Sequence, residues 1–294
     1  MKTSLALMMA GMFTASVYAL PDYDPFVDAT GSGGTSYTVG DPLIGQVNAQ
    51  GQTWFQAGPA NATQPRIVAG NLTYTGLPAS QGNSVSFGGS GESARLNTSS
   101  VTGSGTVYYS FILDVTSIAG LSTSGVFWAG FNNSQGSQTS TPTAVATRIY
   151  TKTSGSGFVL GVDKNSGSTS DWYWDSTTRN VGETLFIVGA YELNSGTTSD
   201  DVSKLWIYPN GGTFSDTTEP APTLTAPTGA DITLGQVASF DLFDRVASQP
   251  SGTIDELRIG TSWADVTGVP EPTTAVLTGL GLLALVSRFR SQRR

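Results

Sequence analysis

Residues Val107–Val115 read VYYSFILDV, and the order of side chains in that stretch decides the fold. Val107, Tyr109, Phe111, Leu113 and Val115 share one face, while Tyr108, Ser110, Ile112 and Asp114 share the other. Side chains of an extended chain alternate sides, so a period of two marks a strand. The second face is partly apolar as well, which suits the middle of two packed sheets or a curved sheet with a covered back. Segments of the same kind recur on the C-terminal side: GVFWAGF (125–131), VATRIYT (145–151), GFVLGVDK (157–164), TLFIVGAYEL (184–193) and KLWIY (204–208), then 239–246 and 254–259. Clusters such as Asn132-Asn133-Ser134, Ser154-Gly155-Ser156 and Asn210-Gly211-Gly212 separate them as turns. Short strands at this spacing, from about residue 71 to 263, predict an all-β sandwich of two antiparallel sheets. Residues 213–231, with Pro220, Pro222 and Pro227, read as an irregular excursion that leaves the sheet and returns near Ile232. No 3.6-residue helical pattern persists outside the termini.

Composition agrees with that reading. Thr (39), Ser (35) and Gly (36) fill more than a third of the 294 residues, and only 12% are charged. Coiled coils and helical bundles need far more Ala, Glu, Lys and Leu than this. The chain has neither Cys nor His. Disulfides, thiolate metal sites, serine–histidine triads and imidazole proton shuttles are therefore excluded. The net charge is −8, but five of the 14 basic residues lie in the terminal segments. Residues 20–269 hold 9 basic and 21 acidic groups, a balance that repels nucleic acid.

Both ends read as addresses. Residues 1–19, MKTSLALMMAGMFTASVYA, combine Lys2, an apolar stretch from Leu5 to Phe13 and small residues at Val17 and Ala19. That is the pattern of a helical secretory signal peptide cut after Ala19. The C-terminus, 269–294, joins Pro270-Glu271-Pro272, an apolar run from about Ala275 to Val286 and the arginines Arg288, Arg290, Arg293 and Arg294. The run is shorter than the ~20 residues of an ordinary spanning helix and is interrupted by Gly279 and Gly281. It suits a transient transmembrane stop, with the arginines held on the cytoplasmic side. Prolines on both sides of Glu271 keep the tripeptide extended and accessible to a protease.

These three parts, in this order, closely resemble the PEP-CTERM sorting signal of Gram-negative bacteria. The resemblance implies recognition by an exosortase, removal of the tail after transient inner-membrane association, and delivery to the cell surface or extracellular matrix of an exopolysaccharide-producing cell. The closing segment Gly252–Trp263, GTIDELRIGTSW, resembles the last core strand of concanavalin A-like or laminin G-like jelly rolls. The order Phe111–Val115, Val126–Asn133, Val145–Tyr150, Ile187–Tyr191, Lys204–Tyr208 resembles the exported modules that precede such tails. The expected organisation is a signal peptide (1–19), one jelly-roll sandwich (20–268) and the sorting signal (269–294).

Candidate chemistry is sparse. Glucanases of this fold carry Glu-x-Asp-x-x-Glu on one strand, and no Glu-x-Asp occurs here. Asp255 and Glu256 are adjacent, so alternation points them to opposite faces; their structural role is to pair with Arg258 or cap a loop. No catalytic residue is assigned. The densest aromatic cluster is Asp171-Trp172-Tyr173-Trp174-Asp175. Indole faces flanked by carboxylates can stack on a sugar and accept its hydroxyls. Alternation equally allows Trp172 and Trp174 to be buried with Tyr173 outside, and that is the favoured register. Asp163 and Asn165, Asp200 and Asp201, and Asp241 and Asp244 could supply oxygens to a structural calcium, although none has an EF-hand spacing. The sequence thus reads as an exported, non-catalytic surface or matrix protein that associates with exopolysaccharide. A degenerate glycoside hydrolase or lyase, or a purely structural envelope protein, are the alternatives. Intact-mass measurement of the surface form should show loss of residues beyond about Pro272; recovery of a C-terminus at Arg294 contradicts the tail reading.

Overall fold

The computed structural model describes residues 20–27, 37–165 and 167–269. The signal-peptide and sorting assignments, including Ala19, Pro270, Glu271, Pro272, Arg288, Arg290, Arg293 and Arg294, lie outside them. The first strands are β1 (Asp22–Asp24), β2 (Trp54–Gln56), β3 (Arg66–Val68), β4 (Ser84–Phe87), β5 (Ala94–Thr102) and β6 (Gly105–Ser117). There follow β7 (Val126–Asn132), β8 (Val145–Ser154), β9 (Gly157–Asp163), β10 (Tyr173–Trp174) and β11 (Thr184–Leu193). The last are β12 (Val202–Tyr208), β13 (Leu224–Ala226), β14 (Gln236–Leu242) and β15 (Ser251–Gly260), ahead of the short helix α1 (Trp263–Thr267).

The strands form two antiparallel sheets. The first runs β13-β12-β11-β6-β15-β4-β3, with β1 also paired to β15; the second runs β10-β9-β8-β7-β14-β5-β2. β6 is central and behaves as its alternation requires. Val107, Tyr109, Phe111, Leu113 and Val115 enter the core between the sheets. There Tyr109, Phe111, Phe131, Phe240 and Trp128 pack at centroid distances of 4.9–6.2 Å. The Tyr109 hydroxyl crosses the sandwich to donate to the Thr147 carbonyl at 2.7 Å. Gly189 beneath it has no substitute, because a Cβ there would stand 2.2 Å from the Tyr109 ring.

The other side of β6 is buried too. Tyr108 and Ile112 join Phe186, Val188, Trp206, Phe214, Trp263 and Val266 in a second cluster on the outer face of the first sheet. Its lid consists of α1 and the 209–222 segment: Trp206 donates to the Pro220 carbonyl at 2.9 Å and Trp263 to that of Asp216 at 3.0 Å. The 213–231 excursion therefore does not leave the sheet as expected. It covers the sheet's outer face and contributes β13, which pairs Ala226 with Ser203. Flanking prolines keep β13 a short edge strand. Strands β1 to β5 include several that lie ahead of the expected start near residue 71 or are too polar to show alternation, β5 (ARLNTSSVT) above all.

β15 carries a bulge. Three steps along it, from Asp255 to Arg258, oppose two on β6, from Ile112 to Ser110, and Glu256 takes a left-handed φ of 56°. Alternation breaks there, so Ile254 and Leu257 both face the core, and the expectation that Asp255 and Glu256 point to opposite faces is corrected. Both carboxylates turn to the covering 71–82 segment: Asp255 accepts from the Leu72 amide at 2.8 Å and Glu256 from the Gln81 amide at 2.7 Å. Glu256 also accepts from the Tyr23 hydroxyl at 2.5 Å and lies 3.6 Å from Arg258. The pair caps a loop, and both members are buried.

Burial pushes Asp255 up to about 8, reinforced by the nearby Glu256 charge, and Asp244 up to about 7. Burial likewise raises Asp22 and Asp24 on β1 to about 6. Each of these groups binds its proton more tightly folded than unfolded. Their stabilisation is complete below the unfolded carboxylate value, near 4, and is lost as pH rises through 6 to 8. The melting temperature should be higher at pH 5.5 than at pH 8.5, by roughly 2–4 °C per kcal/mol lost. Asp255→Asn should narrow that gap; a higher melting temperature at pH 8.5 contradicts the assignment.

Candidate functional site: the outer face of the second sheet

One half of this face is covered. The 133–141 loop folds over β5 and β14, burying the Arg95–Asp241 ion pair completely (2.8 Å). Arg95 also donates to the Gly136 carbonyl at 3.3 Å and the Gln138 side chain at 3.2 Å. The other half, built on β7 to β10, carries an aromatic and cationic cluster.

On β8, Ile149 points into the core, so its neighbours Arg148 and Tyr150 point out, and Lys152 follows two residues on. On β9, Leu160 and Val162 point in, leaving Gly161 and Asp163 outside. β10 pairs Tyr173 with Val162 and Trp174 with Gly161. Cross-strand partners share a face, so Tyr173 follows Val162 to the core side, where its hydroxyl lies 3.1 Å from Thr228 Oγ1. Trp174 goes outward over Gly161, whose missing side chain makes the room: a Cβ there would be 2.6 Å from the indole. The favoured register, with both tryptophans inside and Tyr173 out, is thus inverted. Trp172 and Trp174 are half-buried on the outer face.

The two indoles meet edge to face at 6.3 Å, and Trp172 lies 4.3 Å from the Tyr150 ring. Lys152 Nζ sits 4.2 Å from the centre of Trp174. Beyond Tyr150, the Phe127 ring (5.6 Å) receives two guanidinium groups, Arg245 at 4.1 Å and Arg148 at 5.0 Å. Arg148 pairs with Asp163 at 3.0 Å, and the Tyr150 hydroxyl donates to the same carboxylate at 3.2 Å. Burial and the neighbouring Arg148 charge lower the pKa of Arg245.

The carboxylates expected beside the indoles have other duties or positions. Asp175 is buried in an ion pair with Arg179 at 2.5 Å and accepts from the Thr177 amide. Asp171 is half-buried and closes a short 3-10 turn, Thr169–Asp171. What flanks the aromatic rings is cationic instead. Sequence reading missed Arg148, Lys152 and Arg245. The signal for the first two was present in Arg148-Ile149-Tyr150-Thr151-Lys152, where period two puts three polar-headed side chains on one face. Arg245 follows β14, and nothing in its local sequence points to Phe127.

The calcium candidates are engaged by protein donors. Asp163 and Asp241 are held by Arg148 and Arg95. Asp244 accepts from the Gly88 amide at 2.7 Å and from Gln249 at 3.3 Å. Asn165 donates to the Asp231 carbonyl at 3.0 Å. Asp200, Asp201 and Asp231 do cluster, their oxygens within 4.8 Å of one another. Among them the buried Lys164 ammonium bonds Asp231 at 2.8 Å and the Ser199 carbonyl at 2.9 Å. Tyr191 and the Asn194 amide take Asp201 at 2.7 and 2.6 Å. The Lys164 ammonium offsets one of the three carboxylate charges, while Asp200 Oδ1 is buried with no hydrogen-bond partner.

No protein-family model matches this chain, and no curated protein matches it. Solved structures similar to it include an endo-β-1,4-glucuronan lyase from the fungus Trichoderma reesei, at 11% identity and TM-score 0.39, covering 72% of this chain and 96% of that one. The lectin UEA-II complexed with galactose is similar at 13% identity and TM-score 0.40, covering 82% and 98%. Domain 4 of the GH43 extracellular arabinanase AbnA from Geobacillus stearothermophilus is similar at 16% identity and TM-score 0.36, covering 74% and 88%. Likenesses at this level assign no chemistry to the face described above.

Gly161 sets the height of Trp174. Gly161→Ala should cost about 1–3 kcal/mol and shift tryptophan emission to longer wavelength as the indole lifts into solvent. An unchanged emission spectrum with unchanged stability contradicts the packing of Trp174 on β9.

Proposed function

We propose that the protein is an exported, non-catalytic surface or matrix component that binds polysaccharide through the β7–β10 half of the second sheet's outer face. One observation carries the reading: Trp172 and Trp174 stand half-buried on an open sheet face beside Tyr150, rather than in either core. A partly exposed indole pair held by neighbouring rings offers C–H surface a stacking partner with little entropy left to lose. The first sheet has no comparable surface, since the second hydrophobic cluster and its lid occupy its outer side.

The arrangement also suits a tethered protein. α1 packs on the outer side of the first sheet, so the chain departs toward residue 270 from the side opposite the aromatic face. β1, which begins three residues after Ala19, lies on β15, the strand that leads into α1. Both ends of the described body therefore emerge beside β15. In this reading the PEP-CTERM-like tail is a transient inner-membrane anchor and exosortase the processing partner.

A single stacked sugar contributes on the order of 1 kcal/mol, short of the roughly 4 kcal/mol of a millimolar site, so retention should depend on several contacts together and on avidity along a polymer. In affinity electrophoresis against exopolysaccharide, Trp172→Ala and Trp174→Ala should each weaken retardation severalfold, with thermal melting establishing that each variant still folds. Retardation that both substitutions leave unchanged removes the site.

A further inference from the structure

Arg245 holds its charge in an unusual setting. Its guanidinium lies 4.1 Å from the Phe127 ring centre and 5.9 Å from that of Phe243. Its Nε is buried with no hydrogen-bond partner. No carboxylate pairs with it among the described residues, although this body carries more than twice as many acids as bases. The arginine beside it, Arg148, is committed to Asp163. The other charges on this face are Lys152, over Trp174, and Asp163, which also takes the Tyr150 hydroxyl. Asp244, the adjacent acid, is turned to the Gly88 amide and Gln249.

A guanidinium that is partly desolvated, repelled by a like neighbour and short of an acceptor gains more than an exposed one from an incoming anion. Its planar fork matches a carboxylate, with two parallel N–H donors for two oxygens. Its position on the same face as the indole pair means one extended polymer could stack on Trp172 and Trp174 while a neighbouring residue's acid group reaches Arg245.

Resting on the polysaccharide-binding reading above, we propose that the ligand is an acidic polysaccharide and that Arg245, on its Phe127 shelf, is the seat for a uronic-acid carboxylate. The negative net charge of the body does not oppose this, because at physiological salt charges more than about 8 Å away are largely screened. Recognition then depends on the local cations, and Lys152 adds to them.

The test uses the purified protein and three probes: polyglucuronate, the same polymer with its carboxyls reduced to alcohols, and dextran sulfate. Tryptophan fluorescence titration should show polyglucuronate binding at least about tenfold tighter than the reduced polymer, a preference that falls as salt is added. Arg245→Gln should remove that preference by lowering polyglucuronate affinity to that of the reduced polymer. Arg245→Lys, which keeps the charge but loses the fork, should retain part of it. Thermal melting of both variants establishes that they fold. Equal binding of the charged and reduced polymers, or a preference that survives Arg245→Gln in the folded protein, overturns the carboxylate seat and leaves the polysaccharide reading standing. Preference for dextran sulfate over polyglucuronate overturns it in favour of a sulfate site. Binding of none of the three probes overturns both readings together.

Discussion

The two-sided burial of β6 is the constraint on which the rest of this structure depends. Its odd-numbered side chains from Val107 to Val115 fill the space between the sheets, and its even-numbered ones are roofed by α1 and the 209–222 segment. A strand that hides both faces makes the centre of the first sheet a scaffold, buried on the inner side and roofed on the outer. On the second sheet, the 133–141 loop closes one half of the outer face, and Trp172 and Trp174 stand partly exposed on the other. The site is thus located by what the folding of the other layers leaves uncovered.

On that open half, one glycine matters more than any charged group. Gly161 lets β10 lie close over β9 with Trp174 pressed onto the backbone, and this height brings Trp172 onto Tyr150 and Lys152 onto Trp174. Tyr150 in turn leans on Phe127, and Phe127 supports both arginines. The chain of contacts from glycine to guanidinium is continuous, so the aromatic and cationic parts of the face form one unit. Such a row of rings and cations is rigid before any ligand arrives, which keeps the ordering cost of binding low.

Much of the architecture was legible in the sequence. VYYSFILDV and the segments after it carry the period of two that makes them strands, and the face assignment of β6 holds residue by residue. Two kinds of element were not legible. β5 and β13 hold few apolar residues and owe their pairing to neighbours rather than to their own pattern. The bulge at Glu256 shifts the phase of β15, so counting by twos failed at Asp255-Glu256 for a backbone reason that side-chain types do not display. At the candidate site, the cluster around Trp172 and Trp174 was found, but its orientation was inverted. A two-residue strand has no period of its own, and its phase is set by pairing with Gly161 and Val162 on β9. Arg245 was invisible for a related reason: it meets Phe127 only through the packing of β14 beside β7.

The proposed function places polysaccharide on the β7–β10 face. Hydroxyl-radical footprinting read by mass spectrometry, with and without saturating exopolysaccharide, tests it most directly, because tryptophans report on both sheets. The account predicts protection of Trp172 and Trp174, which are partly exposed, with no change at the buried Trp206 and Trp263 under the lid of the first sheet. No protection of Trp172 and Trp174 at saturating polysaccharide would contradict it.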